Sequence, residues 1–204
     1  MRKRQWDTLL YGIAEDQAGY FTAAQARAAG LLQIRLVQLA KQGDVERVSR
    51  GVYRFTRFPV SPLGHYMEAV LWPQVRRPDV AGVISHQSAL TIHGLSDVNP
   101  ARIHVTLPAA VRLRRDVPKV LVIHYADLDT TDVERVQGIP VTTPAKSIRD
   151  AHAGHLGDAL IAQAIADGRR VGTLATAEAN RLERDLLGTK PKRRGPTGRR
   201  RIAR

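Results

Sequence analysis

Short helical segments that each end at a glycine fill the first part of the chain, and they limit its fold more than any other feature. Residues 4–16 place apolar side chains at helical spacing, and Gly19 closes this segment. Thr22 precedes a second helical segment and has Gln25 three residues later, which is the pattern of a capping box. Gly30 fits the end of that helix. Between the two helices lies an aromatic pair that we expect in the core, Tyr20 and Phe21.

A third helix is predicted from Leu32 to Gln42, with Gly43 at its end. One side of this helix is apolar and consists of Ile34, Val37 and Ala40. The other side carries hydrogen-bond donors at the same spacing, namely Arg35, Gln38 and Lys41 or Gln42. This pattern predicts a helix that packs with one side and presents donors on the other.

Two short β-like runs follow, Val45–Val48 and Val52–Phe55, and Ser49-Arg50-Gly51 joins them. Gly51 can supply the positive φ that such a tight turn often needs. Three short helices followed by a hairpin make a winged helix-turn-helix, which we expect over residues 1–57.

A winged helix predicts contacts with double-stranded DNA. Arg and Gln side chains of a helix in the major groove can each bond a base edge twice, and Lys can reach a phosphate. The hairpin carries Arg47, Arg50 and Arg54, which suit contacts with the DNA backbone or the minor groove.

The distribution of charge also favours a polyanionic partner. The 204 residues carry a formal net charge of +13. Residues 1–57 contribute +5, residues 58–187 contribute zero and residues 188–204 contribute +8. DNA or RNA is the obvious partner for the two basic ends, whereas the neutral middle has no electrostatic reason to bind nucleic acid.

Residues 188–204 form a basic tail that we expect to be disordered, because its only large apolar residue is Ile202. Each phosphate contact from this tail would add roughly 0.9 to the log–log salt slope of duplex binding. The tail residues assigned to DNA contacts are Lys190, Lys192, Arg193, Arg194, Arg199, Arg200 and Arg201.

A second domain is predicted over residues 58–187, after a linker that contains Pro59 and Pro62. Helices are expected at 63–72, 85–93, 144–153, 157–167 and 173–187. Strands are expected at 102–107, 119–125, 133–136 and 139–142. Pro140 predicts that the last of these strands lies at a sheet edge. The chain is therefore expected to be α+β.

The second domain lacks the motifs of several enzyme classes. No Asp or Glu has Lys two positions later, as restriction-type nucleases often do, and neither GxxxxGK nor GxGxxG is present. Asp127 and Asp129 have the spacing of a nucleotidyltransferase pair, but they follow a strand end without a Gly-Ser, so we interpret them as a loop. We expect no enzymatic activity and no cofactor.

Four histidines are candidate metal ligands: His86, His93, His104 and His124. Because they lack the i, i+4 spacing of a helical pair and an evident acidic partner, we expect packing or capping histidines and no metal site. Ser85 and Ser88 could each pair with a histidine as a nucleophile, but the chain has no nucleophile-elbow motif.

The chain contains no cysteine, which excludes disulfide scaffolds and cysteine nucleophiles. No stretch of about 18 residues is apolar throughout, so we expect no contact with a membrane. The basic N-terminus lacks the cleavage site of a signal peptide. These features predict a cytoplasmic protein.

Two groups of motifs resemble AbiEi-type antitoxins of type IV toxin–antitoxin systems. The strings GYFTAAQARAAGL and LVQLAKQGDVERVSRGVYRF are similar to the N-terminal winged helix of that family. The strings ISHQSALTIHGLSD, ARIHVTLP and GIPVTTPAKSIRDA are similar to the domain that follows it in many members. The resemblance covers about residues 8–165.

The resemblance implies a DNA-binding antitoxin, with an α+β antitoxin-type domain after the winged helix. Such proteins repress their own operon by binding repeated operator sequences, and they counter a nucleotidyltransferase-type toxin, directly or indirectly. The matching DNA-contact positions are Gln33, Arg35, Gln38 and Lys41 on the third helix and Arg47, Arg50 and Arg54 on the wing. Where the family often has a capping Ser or Thr before the third helix, this chain has Leu31-Leu32-Gln33.

Two other functions are compatible with the sequence. One is a DNA-targeted, metal-dependent enzyme whose winged helix only brings it to its site. The other is a ligand-responsive transcriptional regulator whose second domain acts as the sensor.

Overall fold

The computed structural model of the protein describes residues 2–114 and 116–188. The elements of its N-terminal part are α1 (Arg2–Glu15), β1 (Tyr20–Thr22), α2 (Ala23–Ala28), α3 (Gln33–Gln42), β2 (Val45–Ser49) and β3 (Val52–Phe55). The three strands form an antiparallel sheet in the order β1-β3-β2. Three helices and a β2–β3 hairpin in this order make the predicted winged helix.

The winged helix encloses its own apolar core. Leu10 of α1, Phe21 of β1 and Leu36 of α3 are almost fully buried and belong to one cluster. The predicted capping box is present, because the backbone N–H of Gln25 donates to Thr22 Oγ1 at 3.1 Å and that of Thr22 donates to Gln25 Oε1 at 2.8 Å. The aromatic pair expected in the core is buried, and it also forms strand β1, which the sequence pattern did not predict.

A mixed sheet and five helices make up the C-terminal part. Its helices are α4 (Gly64–Leu71), α5 (His86–His93), α6 (Pro144–Ala153), α7 (Asp158–Val171) and α8 (Thr176–Leu182). Its strands are β4 (Val83–Ile84), β5 (Ile103–Leu107), β6 (Leu121–Tyr125), β7 (Val133–Val136) and β8 (Ile139–Thr142). They lie in the order β6-β5-β4-β8-β7, with β5–β6 and β4–β8 parallel. The α+β class is therefore confirmed.

Two apolar clusters hold this C-terminal part together. One joins α4 to the sheet through residues such as Met67, Val105 and Val141. The other lies among α5, α6, α7 and α8 and includes Ile148 and Ile161. Alternate residues of a strand point to opposite faces, so the even-numbered residues of β5 face away from the cluster that contains Val105.

The prediction that the strand containing Pro140 lies at a sheet edge is wrong. β8 lies inside the sheet, between β4 and β7, and β7 is the edge strand. Proline is tolerated because β4 has only two residues and pairs with β8 through Ile84 and Val141 alone. Pro140 lies outside that pair, so its missing N–H leaves the β4–β8 ladder intact.

The winged helix packs directly against the C-terminal part. Tyr20 of β1 and Val52 of β3 belong to the same cluster as α4. A Cβ atom on Gly64 would lie 2.3 Å from the Tyr20 hydroxyl, so glycine permits this close approach. Gly51, at the tip of the hairpin, has a φ of +84° and lies beside Val75. The predicted linker therefore does not leave the wing free of the second part.

Candidate nucleic-acid interface

Helix α3 presents a broad exposed face. Leu36 and Leu39 are the residues of α3 that enter the core, at 1% and 6% exposure. Ile34 and Val37, which the spacing placed on the packing side, are 69% and 42% exposed. Of the three residues predicted to pack, Ala40 lies against the core, and Ile34 and Val37 do not. With 3.6 residues per turn, the buried leucines lie on the opposite side of the helix from Ile34.

Four residues form the centre of this exposed surface, which we call the recognition face: Ile34, Val37, Gln38 and Lys41. Gln33 is exposed at the first turn, and Arg35 is half-buried at the flank. The Arg35 guanidinium donates to Gln38 Oε1 at 2.9 Å, which orients the amide of Gln38. The recognition face can therefore offer an amide, an ammonium group and two alkyl side chains to a groove.

The first turn of α3 has no side-chain cap. Leu32 occupies the N-cap position, is 71% exposed and makes no capping hydrogen bond with its side chain. This agrees with the lack of Ser or Thr at positions 31–33. At its other end, Gly43 adopts the left-handed conformation, with a φ of +79°, and ends the helix as predicted.

The β2–β3 hairpin forms the wing and exposes two of its three arginines. Arg47 and Arg50 are both exposed. The strand register shifts between Arg47 and Ser49, which is an irregularity that bends such a hairpin. Both guanidinium groups are available to a phosphate backbone.

Arg54 corrects the sequence interpretation, because it is not a surface residue of the wing. It is 5% exposed. Its Nε donates to Glu46 Oε1 at 2.7 Å and its Nη1 donates to the Phe58 carbonyl oxygen at 2.7 Å. Alternation along β3 could not reveal this burial, since all four residues of that strand are buried. Arg54 ties the wing to the segment that follows it.

A cleft of about 820 Å³ lies beside the wing and is rich in arginine. We call it the arginine cleft; its charged lining residues are Arg50, Arg76, Arg77, Arg112, Arg114 and Asp116. All five arginines are exposed. Arg77 donates to Asp79 at 3.1 Å, and this hydrogen bond lowers the pKa of the Asp79 carboxyl. Four arginines of the cleft come from the part of the chain that is neutral in sum, so net charge alone did not predict this surface.

Asp127 and Asp129 lie in a loop, as predicted, and their carboxylates serve its backbone. Asp127 Oδ1 accepts from the Ala109 N–H at 3.0 Å. Asp129 caps the short 3₁₀ turn Thr130–Asp132. The arrangement therefore gives these two carboxylates a structural role.

The histidines divide into two groups. His93 packs as predicted: its ring is buried, and Nε2 lies 2.8 Å from the Thr142 carbonyl oxygen. His86, His104 and His124 instead come together from three elements. Ser85 and Ser88, the candidate nucleophiles, are both 0% exposed and hydrogen-bonded, so no substrate can reach them.

The seven tail residues assigned to DNA contacts lie outside the described residues: Lys190, Lys192, Arg193, Arg194, Arg199, Arg200 and Arg201. Within residues 2–114 and 116–188, no helix is long and apolar enough to cross a membrane.

The N-terminal part of the chain matches one known family. Residues 12–56 match the sequence model of a family described as a transcriptional regulator, AbiEi antitoxin. This match covers α2, α3 and the wing, and it confirms the resemblance for this part of the chain. No curated protein gives a significant match.

A solved structure with low sequence identity aligns with most of the chain. The crystal structure of the RV2827C protein from Mycobacterium tuberculosis aligns with 87% of this chain and 71% of its own, at 16% identity and a TM-score of 0.46.

Proposed function

We propose that this protein is a DNA-binding transcriptional autorepressor and an antitoxin. In this proposal residues 1–57 bind repeated sites in the protein's own operator. Residues 58–187 form the antitoxin-type domain that counters a cognate nucleotidyltransferase-type toxin, directly or indirectly. The observation that carries the proposal is the exposed recognition face of α3, which lies within the segment that matches AbiEi antitoxin regulators.

The recognition face supports base reading in the major groove. Gln38 can bond the N6 and N7 atoms of an adenine together, and Lys41 can reach a guanine or a phosphate. Ile34 and Val37 can contact the methyl group of a thymine. Gln33 and Arg35 extend the polar surface toward the start of the helix. Sequence preference is therefore assigned to α3.

The arginines beside α3 support contacts with phosphates. Arg47 and Arg50 project from the wing, and Arg50 also lines the arginine cleft. Guanidinium groups bind phosphate oxygens in pairs of hydrogen bonds, whichever base is attached. We therefore assign affinity and its salt dependence to the wing and the arginine cleft, with the basic tail as a further contributor.

Binding of the full-length protein to its own upstream DNA tests the first half of the proposal. Fluorescence anisotropy at physiological salt would compare this duplex with a shuffled duplex of the same length and composition. We expect at least a ~1,000-fold preference, since specific sites exceed non-specific DNA by this factor or more. Equal affinity for both duplexes would contradict operator recognition. Arg149→Ala, at an exposed position of α6, is the control that should change nothing.

The antitoxin half is tested in cells. The proposal predicts a gene for a nucleotidyltransferase-like toxin beside this one, and co-expression of the two proteins should restore growth that the toxin arrests. A Gln38→Ala, Lys41→Ala variant separates the two activities: it should lose operator binding and still restore growth, because these side chains lie only on the recognition face. If wild-type protein leaves growth arrested, the antitoxin assignment is wrong and the operator experiment is unaffected.

The family match also favours a regulator over an enzyme. For the ligand-responsive alternative, an enclosed apolar cavity would be the supporting feature, and the cleft beside the wing is lined by arginines instead. We therefore propose no catalytic residue and no cofactor for the regulatory activity.

A further inference from the structure

Three histidines meet near the β6 edge of the five-stranded sheet. His104 lies on β5, His124 on the edge strand β6 and His86 at the first position of α5. One possible ligand nitrogen from each lies within 4.8 Å of the other two. His104 Nδ1 and His124 Nε2 are 3.0 Å apart. All three side chains are half-buried, so the cluster remains open to solvent on one side.

The backbone explains why these side chains converge. β5 and β6 are parallel, and the register pairs Thr106 with His124, two residues beyond His104 on the same face of the sheet. The backbone of His104 also anchors α5: its N–H donates to Ser88 Oγ at 2.9 Å, and its carbonyl accepts from the Ser85 N–H at 3.1 Å. The first turn of α5 is thereby held against β5.

His86 has an unusual backbone conformation. Its φ is +53°, in the left-handed region that residues other than glycine rarely adopt. Such a conformation is unfavourable, and it persists only where the surroundings impose it. Here it accompanies a ring that lies against both other histidines, at centroid distances of 3.6 Å from His124 and 5.7 Å from His104.

We propose that His86, His104 and His124 bind a divalent transition metal of the Zn²⁺ type, with a fourth position left to water or an external ligand. Zn²⁺ is commonly four-coordinate, and its Zn–N distances of about 2.0 Å place neighbouring nitrogens about 3.3 Å apart. The separation of 3.0 Å between His104 Nδ1 and His124 Nε2 is close to this value. A rotation of the His86 ring away from its stack on His124 brings a His86 nitrogen into position as the third ligand.

The protonation state and the surroundings support this site. Burial, followed by the neighbouring histidines, lowers the pKa of His86 to about 3. Burial also lowers the pKa of His104 to about 4. Metal binding requires neutral imidazoles, and burial favours the neutral form of both rings. Ser85 Oγ lies 2.9 Å from His86 Nδ1 and accepts from Thr106 Oγ1 at 2.7 Å. With its proton on Nδ1, His86 donates to Ser85 and keeps Nε2 free for a metal.

Titration of the full-length, untagged protein with Co²⁺ and then Zn²⁺ tests the proposal. We expect one Co²⁺ per chain with the visible spectrum of a four-coordinate ion, displaced by one equivalent of Zn²⁺. His104→Ala should weaken Zn²⁺ binding by more than ~100-fold, because loss of an outer-shell partner alone costs 10–100-fold. His65→Ala, at an exposed histidine of α4, should bind as the wild type does.

A second variant and a second measurement keep the test decisive if His104→Ala folds poorly. His124→Gln removes the proposed ligand on the edge strand β6 and should also abolish Zn²⁺ binding. Zn²⁺ at 100 times its Kd should raise the wild-type Tm by roughly 5 °C or more and leave that of His124→Gln unchanged. Equal Zn²⁺ affinity in the wild type and a folded His124→Gln variant would overturn the proposal, as would a Co²⁺ spectrum of the hexaaqua ion.

Discussion

The recognition face of α3 and the arginine cleft are both exposed, and the difference between them lies in the groups that they offer to DNA. The recognition face combines the Gln38 amide and the Lys41 ammonium group with two alkyl side chains. The arginine cleft offers guanidinium groups, with one carboxylate among them. Amides and alkyl groups distinguish base edges, whereas clustered guanidinium groups suit phosphates. The recognition face should therefore control sequence preference, and the arginine cleft should control affinity and its salt dependence.

The two surfaces also differ in how the chain assembles them. The recognition face comes from a single helix, so its members share a helical spacing. The cleft combines the wing turn with two loops of the C-terminal part, which carry Arg76 and Arg112 among others. The close approach of Gly51 to Val75 holds the wing turn beside the first of these loops. A neutral segment can thus contribute a strongly basic surface when its acidic residues lie elsewhere.

The largest effect on binding is expected from the arginine cleft. Changing Arg76, Arg112 and Arg114 to alanine should lower the log–log salt slope of operator binding by about 2.7, because each phosphate that an arginine neutralises accounts for roughly 0.9. At low salt the loss of affinity should be equal for operator and shuffled DNA. Anisotropy titrations of both duplexes between about 50 and 200 mM salt measure the salt slope and the loss of affinity.

The matched control for this variant removes three exposed arginines that do not line the cleft. Arg149 lies on α6, Arg181 lies on α8, and Arg184 lies in the π-helical segment Glu183–Leu187 that follows α8. Their replacement by alanine changes the net charge equally. If the control variant lowers the slope as much as the cleft variant does, total charge determines binding and the cleft has no special role.

The next largest effect is expected at Gln38, and it should appear as lost discrimination. Gln38→Ala should reduce the preference for operator over shuffled DNA by about 1–3 kcal/mol if the amide pairs with an adenine. The salt slope should stay the same, because an amide releases no counterion. Gln42→Ala is the control, since Gln42 lies on the same helix but lines a separate cleft with Asp44 and Thr56. Equal losses in the two variants would contradict base reading by the recognition face.

Much of the fold could be predicted because local signals coincide with it. The capping box of Thr22 and Gln25 and the αL glycine after α3 each involve residues close in sequence. Strands β1 and β4 escaped prediction because they have three and two residues and depend on partners far along the chain. Strands this short have too few residues to show the alternation of apolar and polar side chains that predicts a strand.

The candidate sites were harder to predict than the elements, because they depend on how the elements pack. The hydrogen-bond donors of α3 could be recognised from their helical spacing. The exposure of Ile34 could not, because it follows from the packing of Leu36 and Leu39 into the core. The histidine cluster joins residues 86, 104 and 124 through the parallel pairing of β5 with β6, which no spacing along the chain reveals. The expectation of packing histidines agrees with the buried ring of His93, whereas the contact of the other three rings with one another was not predicted.

The smallest effect on binding, and the sharpest contrast within one hairpin, is expected from Arg50 and Arg54. Arg50→Ala should lower the salt slope by roughly 0.9 and leave the free energy of unfolding within about 0.5 kcal/mol of the wild type, because Arg50 is exposed. Arg54→Ala should leave the slope unchanged and lower the free energy of unfolding by about 2 kcal/mol, because this variant removes charge-assisted hydrogen bonds to Glu46 and the Phe58 carbonyl.

Urea denaturation and salt-dependent anisotropy on the same two variants measure this contrast. The two arginines are four residues apart in sequence, and we expect their substitutions to have distinct effects. Arg50→Ala should weaken DNA binding, and Arg54→Ala should destabilise the fold. Arg54→Lys serves as a further check, since it keeps the charge but lacks the planar group that reaches both acceptors. A folded, stable Arg54→Ala protein with a reduced salt slope would show that Arg54 leaves Glu46 to contact DNA, and the division between wing surface and wing anchor would then be wrong.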